Sequence, residues 1–206
     1  MKKQIVIIDY GIGNVNSVQN AISWLGYTVR TSREEQKLRK ADFLILPGVG
    51  AFEEGMNNLR KYHLKDLLDE IVLVCKKPIL GICLGMQLMA DSSEEKGFHS
   101  GLAWIPGKVK KFQIPEEYAV PHVGWNDIQF KASSPIFDKL STNPDFYFDH
   151  SYHYLCADTN HVLATTNYGM EVTAAVHKEN IWGAQFHPEK SQNNGLKLFR
   201  GIIDSV

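Results

Sequence analysis

The chain has 206 residues, 44% of them hydrophobic, and a formal net charge of −1. This composition is typical of a globular protein, and without a basic run it does not indicate a nucleic-acid partner. No apolar run in the sequence is long enough to span a membrane. The three cysteines, Cys75, Cys83 and Cys156, are too few and too widely spaced for a disulfide framework or a C-x-x-C metal pair. We therefore expect a reduced, cytoplasmic protein.

The first half of the sequence predicts alternating strands and helices. Four short apolar runs are typical of buried strands: 4–9, 27–31, 42–46 and 79–82. Apolar residues at helical spacing predict helices through 18–25, ended by Gly26, and over 57–75. This alternation predicts a mostly parallel sheet that is covered by helices on both faces.

The second half of the sequence is richer in strands. Six strand-like runs follow one another with few helices between them: 109–112, 125–130, 146–149, 162–166, 172–177 and 181–185. We expect these to form antiparallel ribbons that are added to the sheet, with a last helix over 195–206. Because no repeat, low-complexity segment or linker interrupts the chain, we expect one α/β domain spanning 1–206.

The stretch from Pro78 to Met89 has a cysteine where a strand meets a helix. Cys83 is flanked by Gly81 and Gly85, whose missing Cβ atoms leave room for the strand and the helix to cross. This parallels the G-x-S-x-G nucleophile elbow, with sulfur in place of the hydroxyl. A thiol at a helix N-terminus is favoured as thiolate. On this stretch alone, a buried structural cysteine remains the alternative.

A second stretch, Trp182 to Ser191, supplies a base and its partner. His187 follows a strand end, and Glu189 lies two residues further on, where its carboxylate can reach back to the imidazole. An imidazole oriented by a carboxylate is what a nucleophilic thiol requires. Taken alone, these residues could equally lie in a solvated loop.

A third stretch, Pro47-Gly-Val-Gly50, leaves a predicted strand at its carboxyl end. Ligands of parallel sheets bind at this end of the strands. The amides of Gly48, Val49 and Gly50 could form half of an oxyanion hole, and the amide of Leu84 after the cysteine could form the other half. The alternative is a plain strand-exit turn.

Together these stretches resemble the class I (triad) glutamine amidotransferases. The resemblance is carried by Gly-Ile-Cys-Leu-Gly-Met-Gln at 81–87 and Phe-His-Pro-Glu-Lys-Ser at 186–191. Within that class, four further stretches resemble the glutaminase subunits of imidazole glycerol phosphate synthases: Asp-Tyr-Gly-Ile-Gly-Asn at 9–14, Pro-Gly-Val-Gly-Ala-Phe at 47–52, Pro-His-Val-Gly-Trp-Asn at 121–126 and Phe-Asp-His-Ser-Tyr at 148–152. The resemblance covers essentially the whole chain.

The resemblance implies a flavodoxin-like fold and the hydrolysis of glutamine to glutamate and ammonia. Cys83 would be the nucleophile, His187 the acid and base, and Glu189 the residue that orients the imidazole. The remaining site residues that the resemblance implies are the oxyanion-hole residues Gly48, Val49, Gly50 and Leu84, and the substrate-binding residues Gln87, Ser151 and Tyr152. No metal and no organic cofactor is implied.

The resemblance also implies a partner, a (β/α)-barrel cyclase that forms a heterodimer with this chain. Ammonia would pass to it, giving imidazole glycerol phosphate and an aminoimidazole carboxamide ribotide. We expect Asn14, Trp125 and Lys190 at the interface, with Lys190 in the family position that pairs with an acidic residue of the cyclase. A core tryptophan and a solvated surface lysine are the alternatives. Neither a nucleic acid nor a membrane is expected as a partner.

Three positions depart from the family pattern. Asp149 stands where an apolar residue is usual, His153 where another aromatic residue or an arginine is usual, and Ala103 where glycine is commoner. They leave open a paralogous subunit that supplies ammonia to a different synthase, such as one amidating a surface sugar. A stand-alone cysteine hydrolase, and a sensor in which Cys83 is merely oxidised, are further alternatives.

Overall fold

The computed structural model of the protein describes residues 3–132 and 134–206. Its first half alternates strands and helices in this order: β1 (Gln4–Ile8), α1 (Val15–Trp24), β2 (Thr28–Ser32), α2 (Glu35–Lys40), β3 (Phe43–Leu46), α3 (Phe52–Lys61), α4 (Leu64–Asp69), a π-helical turn (Glu70–Val74), β4 (Ile79–Ile82) and α5 (Leu84–Gln87). Its second half is mostly strand: β5 (Ser92–Ser93), β6 (His99–Ser100), β7 (Gly107–Lys111), β8 (His122–Asp127), β9 (Gln129–Phe130), β10 (Asp145–His150), β11 (Tyr152–Cys156), β12 (Val162–Asn167), β13 (Glu171–Lys178), β14 (Ile181–Ala184) and finally the helix α6 (Gln192–Asp204).

The central sheet has eight strands in the order β2-β1-β3-β4-β14-β13-β12-β9. The strands from β2 to β14 in this order are parallel, and β13, β12 and β9 continue the sheet in antiparallel fashion. The predicted α/β fold, a mostly parallel sheet with antiparallel strands added by the second half of the chain, is therefore confirmed. One detail differs, because β14 joins the parallel part beside β4.

The sheet separates two hydrophobic cores, one on each face. Successive residues of β1 alternate between them, Val6 and Ile8 in one core and Ile5 and Ile7 in the other. Side chains of a strand point alternately to opposite faces, so a strand that is covered on both sides is apolar throughout. This explains the near-continuous apolar run at 4–9. In the described part of the chain, none of the helices has the length and apolar character that crossing a membrane requires.

Two smaller sheets lie outside the central sheet, contrary to the expectation that all later strands extend it. One is the antiparallel pair of β8 and β10, and the other has the order β11-β7-β5-β6. In the first pair, which we call the outer ribbon, Phe146 and Phe148 are buried in the core on one face of the central sheet. The ribbon therefore packs on a face of the central sheet because one of its own faces is apolar.

The single helix predicted over 57–75 is wrong. Helix α3 begins earlier, at Phe52, and His63 adopts a left-handed backbone, with φ of 55°, between α3 and α4. The apolar spacing continues across this break, since Leu59 and Leu64 are both buried. Helix α2, which the sequence analysis did not predict, buries only Leu38. One apolar residue gives no periodic signal.

Candidate active site

Three neighbouring parallel strands, β3, β4 and β14, end at the same edge of the sheet. The chain leaves them at Pro47, Cys83 and Gln185, and a cavity of about 270 Å³ lies where these exits meet. Cys83 and His187 both line this cavity. The two stretches that the sequence analysis singled out are thus brought together across about a hundred residues of sequence by the parallel pairing of β4 with β14.

Cys83 occupies a strained turn between β4 and α5. Its φ of 51° and ψ of −107° lie outside the regions that residues with a side chain prefer. The flanking glycines allow this turn. A Cβ on Gly85 would lie 1.9 Å from the carbonyl oxygen of Leu46, and one on Gly81 would lie 2.7 Å from the carbonyl of Gly85. The two glycines are therefore required by the close crossing of strand and helix, and Cys83 is held at its corner.

His187 is oriented by Glu189. Its Nδ1 lies 2.8 Å from Oε1 of Glu189, and the two side chains are only 2% and 1% exposed. A 3₁₀ turn, Pro188–Lys190, brings the carboxylate back to the ring. Because Nδ1 takes part in this contact, Nε2 is the nitrogen left for the thiol of Cys83.

The charge on His187 depends on its neighbours. Burial by itself lowers the pKa of the imidazole, but hydrogen bonds with Cys83 and Glu189, together with their charges, raise it to about 10. The imidazolium is therefore favoured, and a cation beside a thiol stabilises the thiolate, which is the reactive form.

The turn that carries His187 is tied to the outer ribbon. The amide of His187 donates to the carbonyl of Tyr147 over 2.8 Å. The hydroxyl of Ser191 donates to the carbonyl of His187 over 2.6 Å and accepts from the amide of Tyr147 over 3.0 Å. Ser191 is fully enclosed, at 1% exposure. This serine ends the Phe-His-Pro-Glu-Lys-Ser motif at 186–191, where nothing in the sequence indicates its role.

The loop after β3 lies directly opposite the start of α5. Val49, Gly50 and Leu84 line the cavity. Gly48 lies just behind it, where an added Cβ would be 2.7 Å from the Cβ of Leu84. None of the amides of residues 48–50 donates a hydrogen bond to another described residue. These amides, with that of Leu84 in the first turn of a helix, are free to bind an oxyanion.

Tyr10 anchors the beginning of the same loop. Its hydroxyl donates a hydrogen bond of 2.6 Å to the carbonyl of Pro47, and its ring is fully buried. Burial, with the charges of Cys83 and Glu54, raises the pKa of the phenol far above its usual value. Tyr10 therefore stays neutral and acts as a hydrogen-bond donor.

The predicted substrate-binding residues Gln87, Ser151 and Tyr152 also line the cavity. The side-chain amide of Gln87 donates to the carbonyl of Tyr152 over 2.9 Å and to Oε1 of Gln185 over 3.0 Å. Gln87 therefore supports the wall of the cavity from behind as well as lining it.

Four further residues line the cavity without having been predicted to do so: Glu95, Pro121, Asp149 and His150. Three of these lie within the quoted stretches 121–126 and 148–152, so a signal for them was present. Glu95 lies in a short charged segment that gave none. Its carboxylate accepts a hydrogen bond of 2.8 Å from the amide of Phe52, at the start of α3.

The three predicted interface residues lie outside this lining. Trp125 is 49% exposed on the outward face of β8, opposite Tyr147 of β10, so the alternative of a core tryptophan is wrong. Nζ of Lys190 lies 4.0 Å from the carboxylate of Asp149 and 5.1 Å from the centre of the Tyr147 ring. Asn14 is half-buried at the N-terminus of α1.

Over residues 3–132 and 134–206, no group of three or more histidine, cysteine, aspartate or glutamate side chains could hold a metal ion.

Comparison with known proteins places the chain in a family. Residues 6–203 match the family glutamine amidotransferase class-I. The chain is 52% identical to imidazole glycerol phosphate synthase subunit HisH 2 of Vibrio vulnificus, covering 98% of this chain and 95% of the relative. It is 46% identical to subunit HisH 2 of Methanococcus maripaludis, covering 97% and 98%.

A solved structure agrees on the fold. A crystal structure of a glutamine amidotransferase superposes with a TM-score of 0.76 at 18% identity, covering 97% of each chain. The chain therefore belongs to the class-I glutamine amidotransferases and, within them, to the family of the HisH subunits of imidazole glycerol phosphate synthase.

Proposed function

We propose that this chain is the glutaminase subunit of an imidazole glycerol phosphate synthase. It hydrolyses glutamine to glutamate and ammonia, and the ammonia passes to a cyclase that makes imidazole glycerol phosphate and the aminoimidazole carboxamide ribotide. The observation that carries this proposal is the buried Cys83, His187 and Glu189 arrangement at the edge of a cavity that opens to the surface. We also propose that residues 1–206 act as one glutamine amidotransferase domain.

The reaction follows from the arrangement of the three side chains. His187 takes the proton of the Cys83 thiol, and the thiolate attacks the side-chain amide carbon of glutamine. The imidazolium then gives its proton to the departing nitrogen, so that ammonia leaves and a thioester remains. A water molecule, deprotonated by His187, hydrolyses the thioester to glutamate and frees the thiol. Glu189 holds the ring for both transfers and stabilises its positive charge.

The tetrahedral intermediates carry a negative oxygen that needs hydrogen-bond donors. Leu84 lines the cavity at the start of α5, and Val49 and Gly50 line it from the opposite loop, so the amides of Leu84 and of residues 48–50 are the candidate donors. Gly50, at φ of 106°, gives the loop a conformation that other residues resist. Once the cyclase and its nucleotide have set this loop, such amides stabilise charge where it develops, and losing one donor typically costs about 10²–10³ in kcat.

The free amino-acid end of glutamine carries one positive and one negative charge. Glu95 lines the cavity, and its carboxylate, which accepts a hydrogen bond from the amide of Phe52, can also bind the ammonium group. Ser151 and Tyr152 offer hydroxyl and backbone donors for the carboxylate group. Gln87 supports the same wall. This division assigns Glu95 to substrate binding, beyond the three residues expected from the sequence.

The ammonia must reach its acceptor without escaping into water, so a partner should cover the mouth of the cavity. We propose that the (β/α)-barrel cyclase binds at the outward face of the outer ribbon, forming a heterodimer. Trp125 lies exposed on that face, with Lys190 beside it, and aromatic residues are enriched in the centres of interfaces. Asn14 follows β1, whose carboxyl end lies at the edge of the central sheet where the cavity is. The free state of all three cysteines favours a cytoplasmic location.

A second candidate has the same chemistry but a different acceptor enzyme. The specific observation in its favour is Asp149, whose carboxylate lies 4.0 Å from Lys190. A partner on the outer ribbon would have to satisfy this carboxylate as well as the lysine. A subunit serving another synthase would bind a different barrel with a different arrangement of charges.

The proposal is tested with Cys83→Ala and with a histidine-pathway cyclase. The wild-type complex should use glutamine or ammonium, and the Cys83→Ala complex should use ammonium at the wild-type rate but glutamine not at all. The wild-type chain alone should release glutamate slowly, and the cyclase with its nucleotide should accelerate this.

Each alternative gives its own result. Fast hydrolysis by the single chain, unchanged by the cyclase, indicates a stand-alone hydrolase. Glutamate release that a histidine-pathway cyclase neither binds nor stimulates indicates a subunit for another synthase. Absence of any glutamate release, with the cyclase bound, indicates a sensor or structural cysteine and contradicts the proposal.

A further inference from the structure

A line of side-chain hydrogen bonds runs through the outer ribbon to the wall of the cavity. His122 of β8 and His150 of β10 are paired across the ribbon, with Nδ1 of His122 at 3.2 Å from Nε2 of His150. At one end, the side-chain nitrogen of Asn126 is 3.3 Å from Nε2 of His122. At the other end, Nδ1 of His150 is 2.8 Å from the carbonyl oxygen of Tyr152. Both imidazoles are buried, at 2% and 6% exposure.

The groups at the two ends of this line, the amide of Asn126 and the carbonyl of Tyr152, determine which ring nitrogens carry a proton. A carbonyl oxygen only accepts, so Nδ1 of His150 must carry a proton and donate it to Tyr152. In the neutral ring Nε2 of His150 is then an acceptor, which requires Nδ1 of His122 to donate. Nε2 of His122 is in turn an acceptor, and it faces the amide donor of Asn126. Every link therefore donates in one direction, from Asn126 to Tyr152.

The surroundings keep both rings neutral and fix their planes. His122 stacks between the rings of Tyr168, with centroids 3.9 Å apart, and Phe148, at 4.7 Å. Burial lowers the pKa of His122 to about 4 and, with smaller effects from neighbouring histidines, that of His150 to about 3. A proton added to Nε2 of His150 would face the donor of His122, so these hydrogen bonds form only while both rings are neutral.

The carbonyl of Tyr152, at which this line of hydrogen bonds ends, belongs to the wall of the glutamine pocket. The carbonyl of Tyr152 accepts one bond from His150 and a second from Gln87, at 2.9 Å. His150, Ser151, Tyr152 and Gln87 all line the cavity. Between β10 and β11 the chain passes from one sheet to another with Ser151 alone between them. The backbone hydrogen bonds of one sheet therefore do not continue across this segment.

We propose that His122 and His150 are positioning residues for the substrate. Their directed hydrogen bonds fix the carbonyl of Tyr152, and with it the side chain of Gln87 and the wall that holds the amino-acid end of glutamine. This rests on the proposed function for the identity of the ligand. All four ring nitrogens are used in these hydrogen bonds, so neither ring acts as the acid or base, and their loss should raise KM for glutamine and leave kcat little changed.

The test replaces the donor of His122 and then restores it. His122→Leu removes the donor and keeps an apolar side chain between Tyr168 and Phe148, and we expect KM to rise about tenfold, the effect of leaving one buried acceptor unpaired. His122→Asn places an amide donor near the position of Nδ1 and should return KM to within about threefold of wild type, since a donor is again available. In both variants kcat should stay within about threefold, because the groups that perform acid–base chemistry are intact.

One further variant tests the direction of these hydrogen bonds. Asn126→Leu removes the donor that faces Nε2 of His122 and leaves Nδ1 of that ring able to donate to His150, so its KM should remain near wild type. His153→Leu is the matched control, because His153 is equally buried, at 3% exposure, and packs on the same Phe112 ring as His150 but takes no part in these hydrogen bonds.

The proton positions are also measured directly in the wild-type protein, by long-range proton–nitrogen NMR of the two imidazoles at neutral pH. Both rings should carry their proton on Nδ1. A proton on Nε2 of either ring, a cationic ring, or equal KM values for His122→Leu and His122→Asn would overturn the proposal. The NMR result does not depend on glutamine. A protein with the expected tautomers but no glutamate release would therefore contradict the proposed function and not the hydrogen-bond assignment.

Discussion

The elbow between β4 and α5 and the outer ribbon border the same cavity, but they are held together in different ways. The elbow depends on backbone atoms in near contact, because any Cβ on Gly85 would meet the carbonyl of Leu46. The ribbon is held by an antiparallel backbone ladder between distant parts of the sequence, and side chains such as Trp125 and Tyr147, with ring centroids 6.2 Å apart, form its outward face. A site can thus combine a rigid part, which fixes the chemistry, with an exposed surface, which is available to a partner.

The largest effect is expected at the rigid part, where the acid–base residue sits. His187→Ala removes the group that moves both protons, and we expect glutaminase kcat in the complex to fall by roughly 10³-fold or more, near the upper range for general acid–base help. Glu189→Gln still fills the space beside Nδ1 and should lose less. Glutamate release measured with cyclase and nucleotide gives both rates.

Ammonium-dependent synthesis is the control for both variants, since it does not use the triad. It should remain at the wild-type level if association and folding are intact. Complete and equal loss of glutamine use in His187→Ala and Glu189→Gln would contradict a purely orienting role for Glu189.

The next effect concerns the free energy of unfolding. Two glycine-to-alanine substitutions distinguish a position with no space for a Cβ from a position where only the backbone conformation disfavours one. Gly85→Ala should lower the free energy of unfolding by more than about 3 kcal/mol, the upper range for overpacking, because the backbone of Leu46 cannot move aside. Gly26→Ala is the matched control. Its φ is +87° but nothing lies within 4 Å of an added Cβ, so about 1–2 kcal/mol of backbone strain is expected.

Urea unfolding curves of the two variants and the wild type provide the measurement. Equal losses at the two positions would mean that the crossing of β4 and α5 relaxes, and that the elbow is less rigid than its close approach indicates.

The same contrast explains what could be predicted from the sequence. Gly81, Cys83 and Gly85 lie within five residues, and their spacing has a local steric reason. The strands that are buried on both faces were equally predictable, because nearly every residue in them is apolar. The match of β4 (Ile79–Ile82) to its predicted range illustrates this.

What could not be predicted depends on contacts that join distant residues. Ser191 has no visible role until β10 lies beside it, and Glu95 has no visible partner until the start of α3 at Phe52 lies beside it. The pairing of His122 with His150 requires the register of the outer ribbon. The helix break at His63 was missed since apolar spacing persists through a single left-handed residue.

A smaller effect should appear in the pH dependence of stability. The pKa of His187 rises from 6.5 to about 10 on folding, so the folded state holds its proton more tightly than the unfolded state. This contribution is fully present below pH 6.5 and is lost as the pH rises through about 10. Between these values the free energy of unfolding should fall more steeply for the wild type than for His187→Gln.

Chemical denaturation at several pH values over that window gives the two slopes. Glu189→Gln, which removes one of the two hydrogen-bond partners, should have an intermediate slope. Parallel slopes for all three proteins would show that His187 is not held as a cation by its neighbours.

The smallest effect on stability is expected at Lys190, which lies beside the exposed face of the outer ribbon. Its pair with Asp149 spans 4.0 Å between side chains that are 36% and 46% exposed, and such exposed pairs contribute about 0–1 kcal/mol. Lys190→Ala should therefore leave the melting temperature nearly unchanged. If Lys190 binds an acidic residue of the cyclase, the coupling of the two reactions should weaken. The wild-type complex should release about one glutamate per imidazole product, and the variant should release more than one.

Lys76→Ala is the matched control, because Lys76 forms an exposed pair of 2.5 Å with Glu179 at the opposite end of β4 and β14. It should leave both the melting temperature and the ratio of glutamate to product unchanged. Asp149→Asn distinguishes the two candidate partners. If the histidine-pathway cyclase is the partner, removing the internal competitor for Lys190 should tighten association. If association weakens instead, Asp149 itself contacts the partner, and the barrel that binds this ribbon must offer it a positive charge.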